Sequence, residues 1–146
     1  QQNLQAHNKS LQNAYNQLEA DCAKKEASNQ LIATQFDILK NPKTKHVHLL
    51  GTGNAPEALV VVYWNENEPS GLLQIENLPK CPNGKTYQIW ADVEGEMVNA
   101  GIFNGGSSDL QKIKYIAEAE SLNITIEPAG GSEHPNVALL QANGKV

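Results

Sequence analysis

The chain has 146 residues, enough for one domain with material left over for an appendage. It carries a formal charge of −5 and no arginine, which argues against a nucleic-acid-binding surface, because arginine is the main clamp for phosphate and guanine edges. No apolar run approaches the roughly 20 residues that a membrane-spanning helix needs, and these residues are not expected to include a signal peptide. Because the first residue is Gln1, a longer parent protein is expected.

Charge is distributed unevenly. Residues 1–40 hold four lysines and four acids, whereas residues 41–146 hold seven lysines and twelve acids and so carry the whole net charge. Leu4, Leu11, Leu18, Ile32 and Leu39 recur every seven residues in the first part, with Lys25 as the one interruption. Three residues ahead of each member stand Gln1, Asn8, Tyr15, Cys22, Asn29 and Phe36. This is a heptad register with one strong and one polar seam. The segment lacks Gly and Pro and stops at Asn41-Pro42, so a helical stalk over residues 1–41 is expected, about 60 Å long. One reading packs its leucine stripe on the following domain. The favoured reading is a coiled coil, giving a homodimer through residues 1–40, in which Cys22 would face its twin if the helices ran parallel. A buried reduced thiol is the alternative for Cys22, and neither it nor Cys81 has a spacing that suggests zinc.

Residues 42–146 change to strand patterning. Strands are expected at residues 45–50 and at the near-continuous apolar run 58–64, then at the alternating stretch 71–78. Residues 85–103 read as an antiparallel hairpin turning at Glu94-Gly95. In its first arm Tyr87, Ile89 and Ala91 share one face, and Thr86, Gln88 and Trp90 the other. In its second arm Val98, Ala100 and Ile102 lie opposite Met97, Asn99 and Gly101. Gly101 suggests a site of close approach by a ring or neighbouring backbone. Residues 104–109 read as a loop, and 110–119 as a short helical or irregular crossover. Residues 122–127 and 137–141 supply the last two strands. Six or seven short strands with turn chemistry between them predict a mainly β fold, an antiparallel β-sandwich of the immunoglobulin-like class.

Few constellations promise chemistry. His46 and His48 alternate on a strand and share a face, a two-ligand grip for a metal that His134 or Met97 would have to complete. The plainer reading is an exposed histidine pair on an edge strand. Ser132-Glu133-His134 holds nucleophile, acid and base types, but neighbours on an extended chain point to opposite faces, and no G-x-S-x-G elbow is present. Asn104-Gly105-Gly106-Ser107 lacks the lysine of a phosphate loop. Asn8 and Asn123 stand in glycosylation sequons of little weight. No catalytic residue and no cofactor is expected.

A set of ordered motifs carries more information. Leu78-Pro79, Pro82-x-Gly84-Lys85-x-Tyr87-Gln88-x-Trp90-Ala91, Gly95 and Ala100-Gly101-x-Phe103 resemble the C-terminal domain of anti-sigma-K factors of the RskA type. Residues 124–132, with Glu127, Pro128, Gly130 and Gly131, fit the same pattern, as do Pro135, Gly51-Thr52, Ala55-Pro56 and the strand ending in Trp64. The resemblance covers about residues 46–144. It implies a bacterial single-pass membrane protein whose missing cytoplasmic region holds an extracytoplasmic-function sigma factor. This domain would lie in the periplasm or outside the cell, with a regulatory protease releasing the sigma factor. The motif residues are expected to pack rather than to react. The runner-up is a periplasmic sandwich that binds a metal or small ligand through His46 and His48.

Overall fold

The computed structural model describes residues 2–106 and 110–146, in two units, 1–37 and 38–146. The first belongs to one helix, α1, which runs Gln2–Lys40 without a break. Its composition explains this: no residue in the span removes an N–H or demands a positive φ. Leu4, Leu11, Leu18 and Ile32 are exposed along it.

The second unit is built on eight strands: β1 (Lys45–Gly51), β2 (Leu59–Trp64), β3 (Ser70–Asn77), β4 (Lys85–Val93), β5 (Glu96–Phe103), β6 (Gln111–Lys114), β7 (Ser121–Pro128) and β8 (Leu140–Lys145). A 3-10 turn, η1 (Val137–Leu139), precedes the last. The mainly antiparallel β architecture agrees with the sequence. Instead of two separately paired sheets, however, the strands form one continuous ladder in the order β5-β4-β7-β8-β1-β2-β3-β6. The ladder curls nearly into a barrel. At its two ends, β5 and β6 come side by side, so that a Cβ on Gly101 would lie 3.8 Å from the Ile113 side chain.

Burial follows the period of two. Val47 and Leu49, Val60, Val62 and Trp64, Leu73 and Ile75, Tyr87, Ile89 and Ala91, and Leu122 and Ile124 all enter one core. The hairpin turns where expected. Glu94 and Gly95 both have positive φ, 55° and 87°, the pattern of a two-residue turn whose twist matches its strands. Its second arm does not alternate simply. The β4–β5 register shifts between Ile89 and Trp90, so Ala100 is inserted as a bulge. Ala100 is therefore 1 % exposed while Ile102, expected on the same face, is 49 % exposed.

Two further segments differ from expectation. Within 110–119 the chain forms strand β6, because Ile113 completes the core and residues 111–114 pair with β3 along its free edge. Residues 137–139 form η1, and the strand starts at Leu140. The Asn54 amide donates to the carbonyls of Ala138 and Leu140, bracing the end of this turn and the first residue of the strand. The loop expected at 104–109 is described through Gly106; residues 107–109 lie outside the described residues.

The chain enters β1 through a buried polar knot. The Thr44 hydroxyl donates to the Ile38 carbonyl at 2.6 Å and accepts from the Asn65 amide at 3.1 Å. Asn65 Oδ1 in turn accepts from the Asn67 N–H, which shapes the β2–β3 turn.

Candidate functional site

β4 is buried on both faces, and its second face brings Trp90 together with Thr125 and Glu127 of β7. Thr86, Gln88 and Trp90 point away from the main core, yet all are buried, with Trp90 at 0 % exposure. β7 lies alongside with Gln88 opposite Thr125 and Thr86 opposite Glu127. The Trp90 indole N–H donates to Thr125 Oγ1 at 2.9 Å, and the Thr125 hydroxyl donates to Glu127 Oε2 at 2.9 Å. The same carboxylate oxygen accepts the Asn136 N–H at 2.9 Å. Glu127 is 2 % exposed and a charged acceptor is the stronger kind, so this relay fixes the loop that follows β7.

A second clamp holds the same loop. The Gln88 side chain accepts the Ser132 N–H at 2.8 Å and donates to the Ser132 carbonyl at 3.1 Å, as a neighbouring strand would. Its Nε2 also donates to Asn99 Oδ1, which accepts the Gly101 N–H. Gly130 and Gly131 carry φ of 93° and 87°, which lets the chain double back after Pro128. The Gly131 N–H closes that turn on the Pro128 carbonyl.

On the core face, Tyr87 stacks on Phe103 with centroids 5.5 Å apart, and its hydroxyl donates to the Pro79 carbonyl at 2.6 Å. Burial, with a smaller contribution from the neighbouring Cys81, pushes the Tyr87 phenol up to about 12. The Cys81 thiol is itself raised by burial, against the pull of Lys85. Gly101 is required for its φ of 143° at the bulge, since Ile113 leaves room for a methyl. The close approach expected there occurs at Gly105, where a Cβ would fall 2.6 Å from the Tyr87 ring and 2.2 Å from the Pro79 oxygen.

The remaining candidates do not converge. His46 and His48 are both exposed on one face of β1, and His46 meets the edge of Tyr63 at 4.9 Å. His134 lies in the loop after β7, and Met97 on β5 contacts Asn123. Among the described residues no group of three or more His, Cys, Asp or Glu could hold a metal ion. Ser132 is gripped through its backbone. Cys22 and Cys81 are free thiols, in different units. Asn123 is buried, its amide spent on Ser121 and Met97, which withdraws that sequon from modification. A cavity of about 290 Å³ opens beside Lys43 and Lys45, walled by Trp64 and Tyr115. Among the described residues no helix is long and apolar enough to cross a membrane.

Gln88 and Thr125 are what residue-type reasoning overlooked as parts of a site. Their signal was polarity at strand positions alternating with Trp90 and Glu127 on one face.

The family model described as the anti-sigma-K factor RskA C-terminal domain matches residues 4–145, so the matched span takes in the helix as well as the strands. An uncharacterised protein of Streptomyces griseus, encoded in a phr 5' region, is 32 % identical over 100 residues. That alignment covers 67 % of this chain and 41 % of the relative, so the chain spans less than half of that protein's length. No solved structure matches. With nearly its whole length inside the family's span, the chain belongs to the anti-sigma-K factor RskA C-terminal family.

Proposed function

We propose that this chain is the extracytoplasmic regulatory part of a membrane-anchored anti-sigma factor that controls an extracytoplasmic-function sigma factor. The family match over residues 4–145 carries this reading. The motif residues support a non-catalytic role: Tyr87, Trp90 and Glu127 are buried and committed to holding strands and one loop. Contact with the sigma factor is made by a region outside this chain, and a regulatory protease acting on the parent protein frees it. Residues 1–40 act as a coiled-coil stalk that pairs two copies.

Two measurements test this. Alkaline phosphatase fused to the parent protein directly after the residue numbered Val146 here is active only if the domain is exported, and an inactive fusion rejects the location. In cells carrying a sigma-dependent reporter, disrupting the fold through Glu127→Ala should change reporter output under inducing conditions. An unchanged reporter, with the variant shown to be unfolded, rejects the regulatory role.

A second reading rests on the exposed pair His46 and His48, which face solvent together and would chelate a divalent cation or small ligand. Calorimetric titration with zinc and copper tests it, and absence of heat at micromolar metal dismisses it.

A further inference from the structure

The helix of unit 1–37 carries an apolar row that lies open. Leu4, Leu11, Tyr15, Leu18 and Ile32 are between 58 and 64 % exposed. All five fall on the two seam positions of one heptad register. Together they present on the order of 600 Å² of apolar area, and the stems of flanking residues bring this near the roughly 800 Å² per partner of a stable interface. That area stands at the upper end of the roughly 300–600 Å² that the largest apolar patch of a monomer ordinarily reaches.

We propose that this row packs against the same row of a second copy, with the two helices parallel and in register. The inference rests on the coiled-coil reading above and adds the orientation to it. The seam is self-complementary only in that arrangement. In register, Leu4, Leu11, Leu18 and Ile32 each meet their own counterpart. Asn8 and Asn29 meet theirs as well, where paired amides can exchange hydrogen bonds and fix the register. In an antiparallel pair of full overlap, Asn8 would face Ile32 and Asn29 would face Leu11. Four amides would then be buried against apolar side chains without partners. Lys25 is the cost of the parallel form, since it faces its own counterpart. Its long stem can carry the ammonium outward, and Asp21, one turn earlier on the same helix, offsets the repulsion.

Parallel registration sets Cys22 opposite Cys22, and this supplies the readout. The full chain is sized by sedimentation equilibrium and then treated with diamide, which takes up the two protons and two electrons released as two thiols join. The expected result is a dimer whose cross-link maps by peptide mass spectrometry to Cys22–Cys22. A Leu11→Glu, Leu18→Glu chain should be monomeric and uncross-linked, with unchanged tryptophan fluorescence from the β unit. Monomeric unsubstituted protein at high concentration overturns the pairing. A dimer that instead cross-links position 11 to position 29, in a Leu11→Cys, Asn29→Cys, Cys22→Ser chain, overturns the orientation. Both failures leave the anti-sigma reading standing, because its fusion and reporter tests are read separately.

Discussion

Gln88 holds Ser132 at both of its main-chain polar atoms, with Oε1 2.8 Å from the N–H donor nitrogen and Nε2 3.1 Å from the carbonyl oxygen. A single side chain thereby replaces a strand neighbour for a loop that has none, across 44 residues of sequence. Replacing Gln88 by Ala should leave the Ser132 backbone and Asn99 without these partners. A loss of about 1–3 kcal/mol in urea unfolding is expected, with faster amide exchange at Ser132. Gln88→Glu tests the donor separately. It keeps an acceptor for the Ser132 N–H but sets a carboxylate against the Ser132 carbonyl and Asn99 Oδ1. Stability equal to that of the unsubstituted protein would show that the clamp contributes nothing.

Glu127 is the other anchor of the same loop. Its Oε2 receives both the Thr125 hydroxyl and the Asn136 N–H inside the fold. Glu127→Ala removes the acceptor from the buried Thr125 hydroxyl and from the Asn136 N–H and opens a cavity, so about 2–5 kcal/mol of destabilisation is expected. Glu127→Gln keeps an acceptor oxygen in place and should lose clearly less. Thermal denaturation of the two variants side by side checks the order, and equal losses would contradict it.

The hairpin shows how much of this was legible beforehand. Alternation alone placed Tyr87, Ile89 and Ala91 together on one side of β4, and the structure buries them in the core. It also placed Gln88 with Trp90, but a half-buried sheet would leave that second face wet. What buries it is the loop after β7, brought there by a strand order that skips from β4 to β7. Local pattern carries no information about such a neighbour. The bulge at Ala100 was hidden for a related reason. Gly101 marked an irregularity, but whether a glycine answers a close contact or a positive φ depends on the strand opposite. The β6 segment was missed because four residues are too few to establish a period. The antiparallel class was legible because each strand writes its own alternation. The near-closure of one sheet was not, because it depends on β5 and β6 meeting at the far ends of the order.

Two glycines separate conformational strain from steric exclusion. Gly101→Ala adds a methyl with room beside Ile113 but forces an L residue to φ 143°, for an expected loss of about 1–3 kcal/mol. Gly105→Ala puts a carbon 2.6 Å from the Tyr87 ring and closer still to the Pro79 carbonyl, so the backbone itself must move. The second variant should unfold at the lower temperature. It should also lose the near-ultraviolet signal of Tyr87, which Gly101→Ala should keep. The reverse order would mean that the β4–β5 bulge, and not the packing at Pro79, is the stiffer constraint.

Tyr87 gives the domain an alkaline limit. Its phenol is pushed from the ordinary value of 10 up to about 12, chiefly by burial. The folded state therefore holds the proton more tightly than the unfolded chain does. The stabilisation is complete below pH 10 and is lost as the pH rises through about 12. Unfolding free energy should accordingly fall across that interval, and absorbance at the phenolate band should show Tyr87 ionising near pH 12. Tyr87→Phe removes the titrating group together with the hydrogen bond to Pro79. It should lower stability at neutral pH by about 0.5–1.5 kcal/mol while flattening the decline above pH 10. A Tyr87→Phe protein that declines as steeply as the unsubstituted one would assign the alkaline loss to some other group.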